Sequence, residues 1–493
     1  MSSIAYFSFF VYNIDIKTPK ICTGALKYMK IPNALRQKSA AVGRPDPYMR
    51  RPIRVLLLIL ALFTTSCGQR AAETSSGPGT VSAPLAAVRI NREAAGIAGI
   101  TPRTADGTDA SAAGVFCTIA DNGADSTETS LTAPESPDDN MPANASYHAP
   151  LPGDPDFRVH GIYVTAPVAG IDRIHDLIAL ADETDINAFV IDIKDDLGKI
   201  TYPMDTPTVQ EIGSAVTYIS DMEGLIAECK AHGIYLIARI VTFKDPYLAK
   251  AIPEYALCEA DGTMFLDNSG LAWVNPYEQG VWDYLMEIAT EAARIGFDEI
   301  QFDYIRFSTD KGMDRVVFGP NAGDLTKTDI INAFTDYAYE TLAPYSVAVS
   351  ADVYGTIIDN AIDRSIVGQD YAVMASKIDV ICPMVYPSHY GAGVYRIDVP
   401  DAEPYRTVTS ALNASRTVLD QYGHDTIYAV SENGMPSICR VRPWLQAFTA
   451  TWVRGHIEYD REQIQEQIQA VLDAGYDEWL FWNATVKYDA GWF

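Results

Sequence analysis

Cysteine is sparse and poorly placed for covalent or metal staples. Seven occur in 493 residues, at positions 22, 67, 117, 229, 258, 382 and 439, and none forms a CxxC pair. That excludes a disulfide-dense scaffold and a zinc ribbon. Histidine is equally thin, with seven residues and neither HxH nor HExxH, so zinc hydrolases of those kinds have no ligand set here. The chain has no GxSxG elbow and no P-loop, and the acids of "DIKDDLG" lack calcium-loop spacing. The sequence therefore predicts no metal and no cofactor. Positive charge is also short: 37 Lys and Arg face 64 Asp and Glu, a formal charge of −27. Such a chain repels phosphate backbones, which argues against a nucleic-acid partner and fits a neutral or cationic polymer.

No apolar run is long enough to span a membrane. The longest, Val55 to Phe63 within "MRRPIRVLLLILALFTTSCGQ", follows three arginines and is succeeded by small residues ending at Cys67. Residues 49–67 thus read as an export signal. The "TTSC" ending resembles a lipobox, with Cys67 as the lipidated first residue of the mature protein, although Thr64 stands where Leu is usual. An ordinary signal cut nearby is the alternative. Residues 1–48 read as an over-extended start without function. Residues 68–157, rich in Ala, Ser, Thr, Gly, Pro and Asp, bury too little to offset chain entropy and form a disordered linker.

From Arg158 to the end, apolar runs alternate with helical periods. Strands are expected at 158–166, 188–196, 234–243, 299–307, 347–355, 379–387, 440–448 and 478–486. Helices fall between them, and Gly233, Gly296 and Gly475 stand where C-cap glycines belong. Eight such units predict a (β/α)8 TIM barrel over 158–493, lacking a clear eighth helix. A doubly wound open sheet is the alternative, but no GxGxxG follows the first strand. Linker residues before 158 are expected to cover the side left bare.

Barrel active sites sit at the C-terminal ends of the strands, and polar residues gather there. "DEIQFDYIRFS" carries Asp303 inside an apolar strand, where a buried carboxylate costs several kcal/mol, on the order of 2–7, unless paired. Asp192, Lys194, Asp195 and Asp196 close the second strand, and Arg239 lies in the third. Arg306 follows Asp303, and Asp352 and Tyr354 end the fifth strand. Tyr386, Ser388 and His389 follow the sixth, with Trp444 and Gln446 in the seventh and Trp482 and Asn483 in the eighth. Gln301 shares parity with Asp303, and Ser350 with Asp352, so both pairs can face the barrel interior. Carboxylates beside aromatic rings suit carbohydrate chemistry, since sugar C–H faces stack on rings and acetals cleave between two carboxyl groups.

The segments "GIYVTAPVAG", "VIDIKDDLGKITYP", "IARIVTFKDP", "WVNPY", "GFDEIQFDYIRF", "SADVYG", "PMVYPSHY", "RPWLQAF" and "WNA" resemble, in order, the glycoside hydrolase-like barrel family DUF4015. The resemblance implies a TIM-barrel glycosidase acting on a polysaccharide or oligosaccharide. It implies Asp303 as nucleophile and Asp352 as acid/base, with Asp192 a rival for either role. The substrate-binding candidates are Asp192, Lys194, Arg239, Arg306, Tyr386, His389, Trp444, Gln446, Trp482 and Asn483, with Trp273 and Asn275 as a subsite wall. Structural roles compete with these: Asp303 paired to Arg239 or Arg306, an Asp192–Lys194 ion pair, and barrel packing for the tryptophans. A barrel that binds cell-surface polysaccharide without cleaving it is the other functional class.

The export segment predicts an envelope protein attached to the membrane through its lipid alone. Two acyl chains at Cys67 hold a protein stably where one does not. A coil of about ninety residues gives a reach of roughly 50 Å. Cys67→Ala is expected to move the protein from the membrane fraction to the soluble exported fraction. Unchanged membrane association of the variant would remove the tether.

Overall fold

The computed structural model describes residues 157–425 and 439–493; residues 1–48, the export segment with Cys67 and the linker up to residue 156 lie outside the described residues. Strands form at all eight expected places. They are β1 (His160–Val164), β2 (Ala188–Lys194), β3 (Tyr235–Val241) and β4 (Glu299–Asp303). They continue with β5 (Ala348–Tyr354), β6 (Val380–Met384), β7 (Arg440–Val441 with Trp444–Gln446) and β8 (Trp479–Trp482). Each pairs in parallel with its neighbour, β8 returns to β1, and Trp444 of β7 pairs with Met384 of β6. The ring is closed, which excludes the open sheet.

β2, β3 and β5 are buried along their whole length, because helices cover the outside and side chains fill the inside. These strands read as near-continuous Val, Ile and Ala for the same reason. The covering helices are α1 (Arg173–Glu183), α2 (Met222–Ala231), α3 (Gln279–Ile295), α4 (Lys327–Leu342), α5 (Tyr371–Ala375), α6 (Pro404–Asp425) and α7 (Arg461–Asp473). α4 and α7 begin with capping boxes, Thr326 with Asp329 and Asp460 with Gln463. Gly296 ends α3 at φ 113°, a left-handed conformation that a side chain resists.

Two local departures matter. β7 is broken at Arg442 and Pro443, since proline has no N–H to donate to a ladder. The last residues pack against the side left without an eighth helix; the linker expected to cover it lies outside the described residues. A short turn at Ala490–Trp492 follows β8, and Phe493 packs on Phe481 at 5.5 Å between ring centres. The Tyr488 hydroxyl donates to the carbonyls of Tyr163 (3.0 Å) and Phe481 (3.1 Å), tying β1 to β8. Among the described residues no helix is long and apolar enough to cross a membrane.

The N-terminal end of the barrel is plugged by charge. Arg442 donates to both oxygens of Glu299 at 2.8 Å and to Glu478 at 3.0 Å, and all three residues are fully buried. Arg440 and the Tyr235 hydroxyl complete the cluster through Glu478 and Glu299 respectively. Removing one partner of such a group strands the others in low dielectric. Arg442→Met is therefore expected to lose about 3–5 kcal/mol in urea unfolding, and Glu299→Gln added to it should recover part of that loss. A variant as stable as the wild type would show that the plug contributes nothing.

Candidate active site

The opposite end of the barrel opens into a narrow cleft with a cavity volume of about 70 Å³. Its chemistry starts from Arg239 in the middle of β3. This guanidinium is 2% exposed, so its charge needs buried partners. Asp303 at the end of β4 accepts from Nε at 3.0 Å and from Nη2 at 2.5 Å, a fork on one carboxylate oxygen. Asp192 on β2 accepts from Nη1 at 2.6 Å. Asp196 stands 3.5 Å away, a looser pair, and its buried Oδ1 has no hydrogen-bond partner. Burial works against the charge on Arg239, but Asp303, Asp192 and Asp196 together outweigh it and raise the pKa well above the usual value.

Asp303 and Asp352 leave neighbouring strands at matching heights. Phe302 pairs with Ala351 across β4 and β5, and each acid is the next residue. Asp352 is 2% exposed, and its Oδ1 accepts from the Trp444 indole N–H at 2.7 Å. Burial, followed by the negative charge of Asp303, pushes Asp352 well above the ordinary carboxylate range; the Trp444 hydrogen bond opposes this. Asp303 has the cation beside it and Asp352 has the burial, so the two acids sit in opposed environments.

The strand turns sharply after Asp303. Tyr304 has φ 51°, a costly conformation for a bulky residue. Its N–H donates to Oδ1 of Asp303 at 2.6 Å. The turn brings Tyr304 into the cleft, where Arg306 lies 4.8 Å from its ring centre and 4.5 Å from that of Tyr354. On the far side Trp482 stacks on Tyr163 at 3.8 Å and 17°, and Arg239 lies 5.3 Å from the Trp482 ring.

The cleft thus gathers Asp303, Asp352, Arg239, Arg306, Tyr386, His389, Trp444 and Trp482 from the sequence candidates. Others lie elsewhere. Asp192 is behind Arg239, held by the Tyr163 hydroxyl at 2.5 Å, and burial raises its pKa to about 6 against the pull of Arg239. Lys194 does not pair with Asp192: β2 shifts register between them, and Lys194 is fully buried against Asp245 at 2.9 Å. Gln446 is fully buried, bridging Asp401, Ser388 and the Phe448 carbonyl. Asn483 organises the loop after β8 by donating to the carbonyls of Ala447 and Lys487. Trp273 packs edge-on behind Tyr304, and Asn275 donates to the Phe318 carbonyl. His389 contacts the Ser388 hydroxyl at 3.0 Å, and burial lowers its pKa to about 3, which leaves it neutral.

Asp196, Tyr304, Tyr354, Met384 and Phe448 line the cleft without having been chosen as site residues from sequence. Tyr354 was within reach of the parity rule, two positions beyond Asp352. Tyr304 was not, because its place depends on a left-handed turn. Among the described residues no group of three or more His, Cys, Asp or Glu is arranged to hold a metal ion.

No curated protein matches the chain. A hypothetical protein from Ruminiclostridium thermocellum is 41% identical over 39% of this chain and 97% of its own, with a TM-score of 0.36. The PgaB glycoside hydrolase domain from Bordetella bronchiseptica is 14% identical over 66% and 94%, with a TM-score of 0.46. An exo-β-N-acetylglucosaminidase from Vibrio harveyi is 15% identical over 68% and 52%, with a TM-score of 0.40. A family model described as "Putative glycosyl hydrolase domain" matches residues 161–488, and with that match spanning the whole closed ring the chain belongs to the DUF4015 family of glycosyl hydrolase-like barrels.

Proposed function

We propose that the protein hydrolyses glycosidic bonds of a polysaccharide or oligosaccharide, with Asp303 as nucleophile and Asp352 as acid and then base. The observation that carries this reading is the opposed environment of two carboxyl groups on adjoining strands. Asp303 is ion-paired to Arg239, which holds its carboxylate in place for attack. Burial and the charge of Asp303 raise the pKa of Asp352, the direction a general acid needs. The Trp444 bond occupies Oδ1 and leaves the other oxygen to carry the proton toward the leaving group.

In the first step Asp303 attacks the anomeric carbon, the glycosidic C–O bond breaks, and Asp352 gives its proton to the leaving oxygen. In the second, Asp352 takes a proton from water, whose oxygen displaces Asp303 and releases the sugar. Tyr386, Trp444 and Trp482 supply faces and hydrogen-bond donors for the ring. Asp196, which lines the cleft, accepts from a sugar hydroxyl or amine. The export reading of residues 49–67 adds that this chemistry takes place at the cell envelope.

Release of reducing sugar from a polysaccharide panel tests the proposal. Asp303→Asn should lower the rate more than a hundredfold; equal rates in both proteins would remove Asp303 from the mechanism, and no release by the wild type would leave the binding-only barrel standing. Asp352→Asn should cost about 10²–10⁴-fold on natural linkages but far less on aryl glycosides whose leaving groups need no proton. The wild-type rate should fall as pH rises through the elevated pKa of Asp352, because the acid form is lost there. In Asp352→Asn that alkaline limb should vanish; its persistence would move the acid role to another group.

A further inference from the structure

The cleft does not end at the two acids. Phe448, two residues past β7, lines its wall and meets Tyr386 edge-on at 6.1 Å and His389 at 6.5 Å. Beyond it Trp452 lies nearly parallel to Phe448, 6.1 Å between ring centres at 25°, and is 48% exposed. Among the described residues it is the one tryptophan so exposed. Exposing that much aromatic surface costs free energy unless something covers it.

The platform is held in place rather than left loose. Gln446 donates to the Phe448 carbonyl at 3.0 Å and to Asp401 at 2.9 Å, while its own oxygen accepts the Ser388 N–H at 3.0 Å. Thr449 accepts the Tyr459 N–H, and the Tyr459 hydroxyl donates to the Asp401 carbonyl. Ala450 then closes a turn onto Val453 at 2.9 Å. The loop is thus tied to the β6 and β7 ends through buried Gln446, Ser388, Asp401 and Tyr459, and the rings of Phe448 and Trp452 are presented already oriented. Such preorganisation favours binding, since little side-chain freedom is left to lose.

We propose that Phe448 and Trp452 form an outer sugar-binding subsite, continuous with the cleft, on which further pyranose rings of the same substrate chain stack. This rests on the hydrolytic reading for its place in a reaction, but the subsite itself requires only that the cleft binds glycan. The occupant is committed by continuity: ring contacts run from Tyr386, which lines the cleft with the acids, through Phe448 to Trp452 at the rim. A ring-to-ring step of that size matches one sugar unit, and flat C–H faces are what such rings accept. The substrate is then a chain of several units, and short oligosaccharides that end before Trp452 gain nothing from it.

The test compares wild type, Trp452→Ala and Trp452→Phe, each also made in Asp303→Asn so that binding is read without turnover. Retardation in gels containing soluble chitosan, xylan, barley β-glucan or pectin reports binding. Trp452→Ala should weaken the retarding polymer about three- to tenfold, and Trp452→Phe should restore most of it. Thermal midpoints should not move, because the ring is at the rim. For any polymer the wild type degrades, kcat/KM of Trp452→Ala should fall only on oligosaccharides above a threshold length. Retardation lost in Trp452→Ala while no polymer is cleaved by wild type would sink the hydrolytic reading and leave the subsite. Equal retardation in both proteins, no retardation in either, or a loss of kcat/KM independent of chain length would overturn the subsite.

Discussion

A guanidinium taken out of water on β3 determines much of the cleft. Arg239 cannot stay charged in the barrel without carboxylates at bonding distance, and Asp303 and Asp192 supply them from the strands on either side. That requirement fixes the height of Asp303 and turns its oxygens toward the centre. It also places a negative charge next to Asp352, whose burial already disfavours ionisation. One ion pair thus holds one acid in place and adds to the upward pKa shift that burial gives the other. The same arginine lies against the stacked rings of Tyr163 and Trp482, so the aromatic wall shares that constraint.

The barrel holds a second buried arginine at its other end, and the contrast is informative. Arg442 is enclosed by Glu299 and Glu478 with no route to solvent. Along β4 the residues Glu299, Gln301 and Asp303 share one face, so a single strand runs from the sealed cluster to the open one. Between them Gln301 and Ser350, paired in register, keep Oε1 and Oγ without protein partners. Polar groups in this interior are thus arranged in tiers, an ion-paired cluster at the base, a layer of neutral polar groups above it, and the Arg239 carboxylates at the open end.

Much of this was legible in the order of residues. The eight strands were, because parallel strands buried on both faces must be apolar runs, and helices of period 3.6 separate them. Asp303 and Asp352 were legible because an acid at a strand end is costly and parity gives its direction. The pairing of Lys194 was not, since a register shift after Asp192 turns the side chain out of the barrel and no local pattern announces it. Gln446 and Asn483 misled for a related reason. Amides at strand ends look like ligand contacts, yet here they satisfy backbone groups of loops whose paths are set by distant segments. Tyr163 carries no mark in sequence, because its role depends on the closure of β1 onto β8.

That closure has a kinetic consequence. The Tyr488 hydroxyl bonds to the Tyr163 carbonyl across 325 positions of chain, and Tyr163 stacks on Trp482 at the same seam. Contacts so far apart in sequence are slow to form, since the intervening chain must lose its freedom before they return anything. During synthesis β1 emerges first and waits for β8, the last strand made. The aromatic wall beside Arg239 can exist only after the ring shuts, so completion of folding and assembly of the cleft are one event.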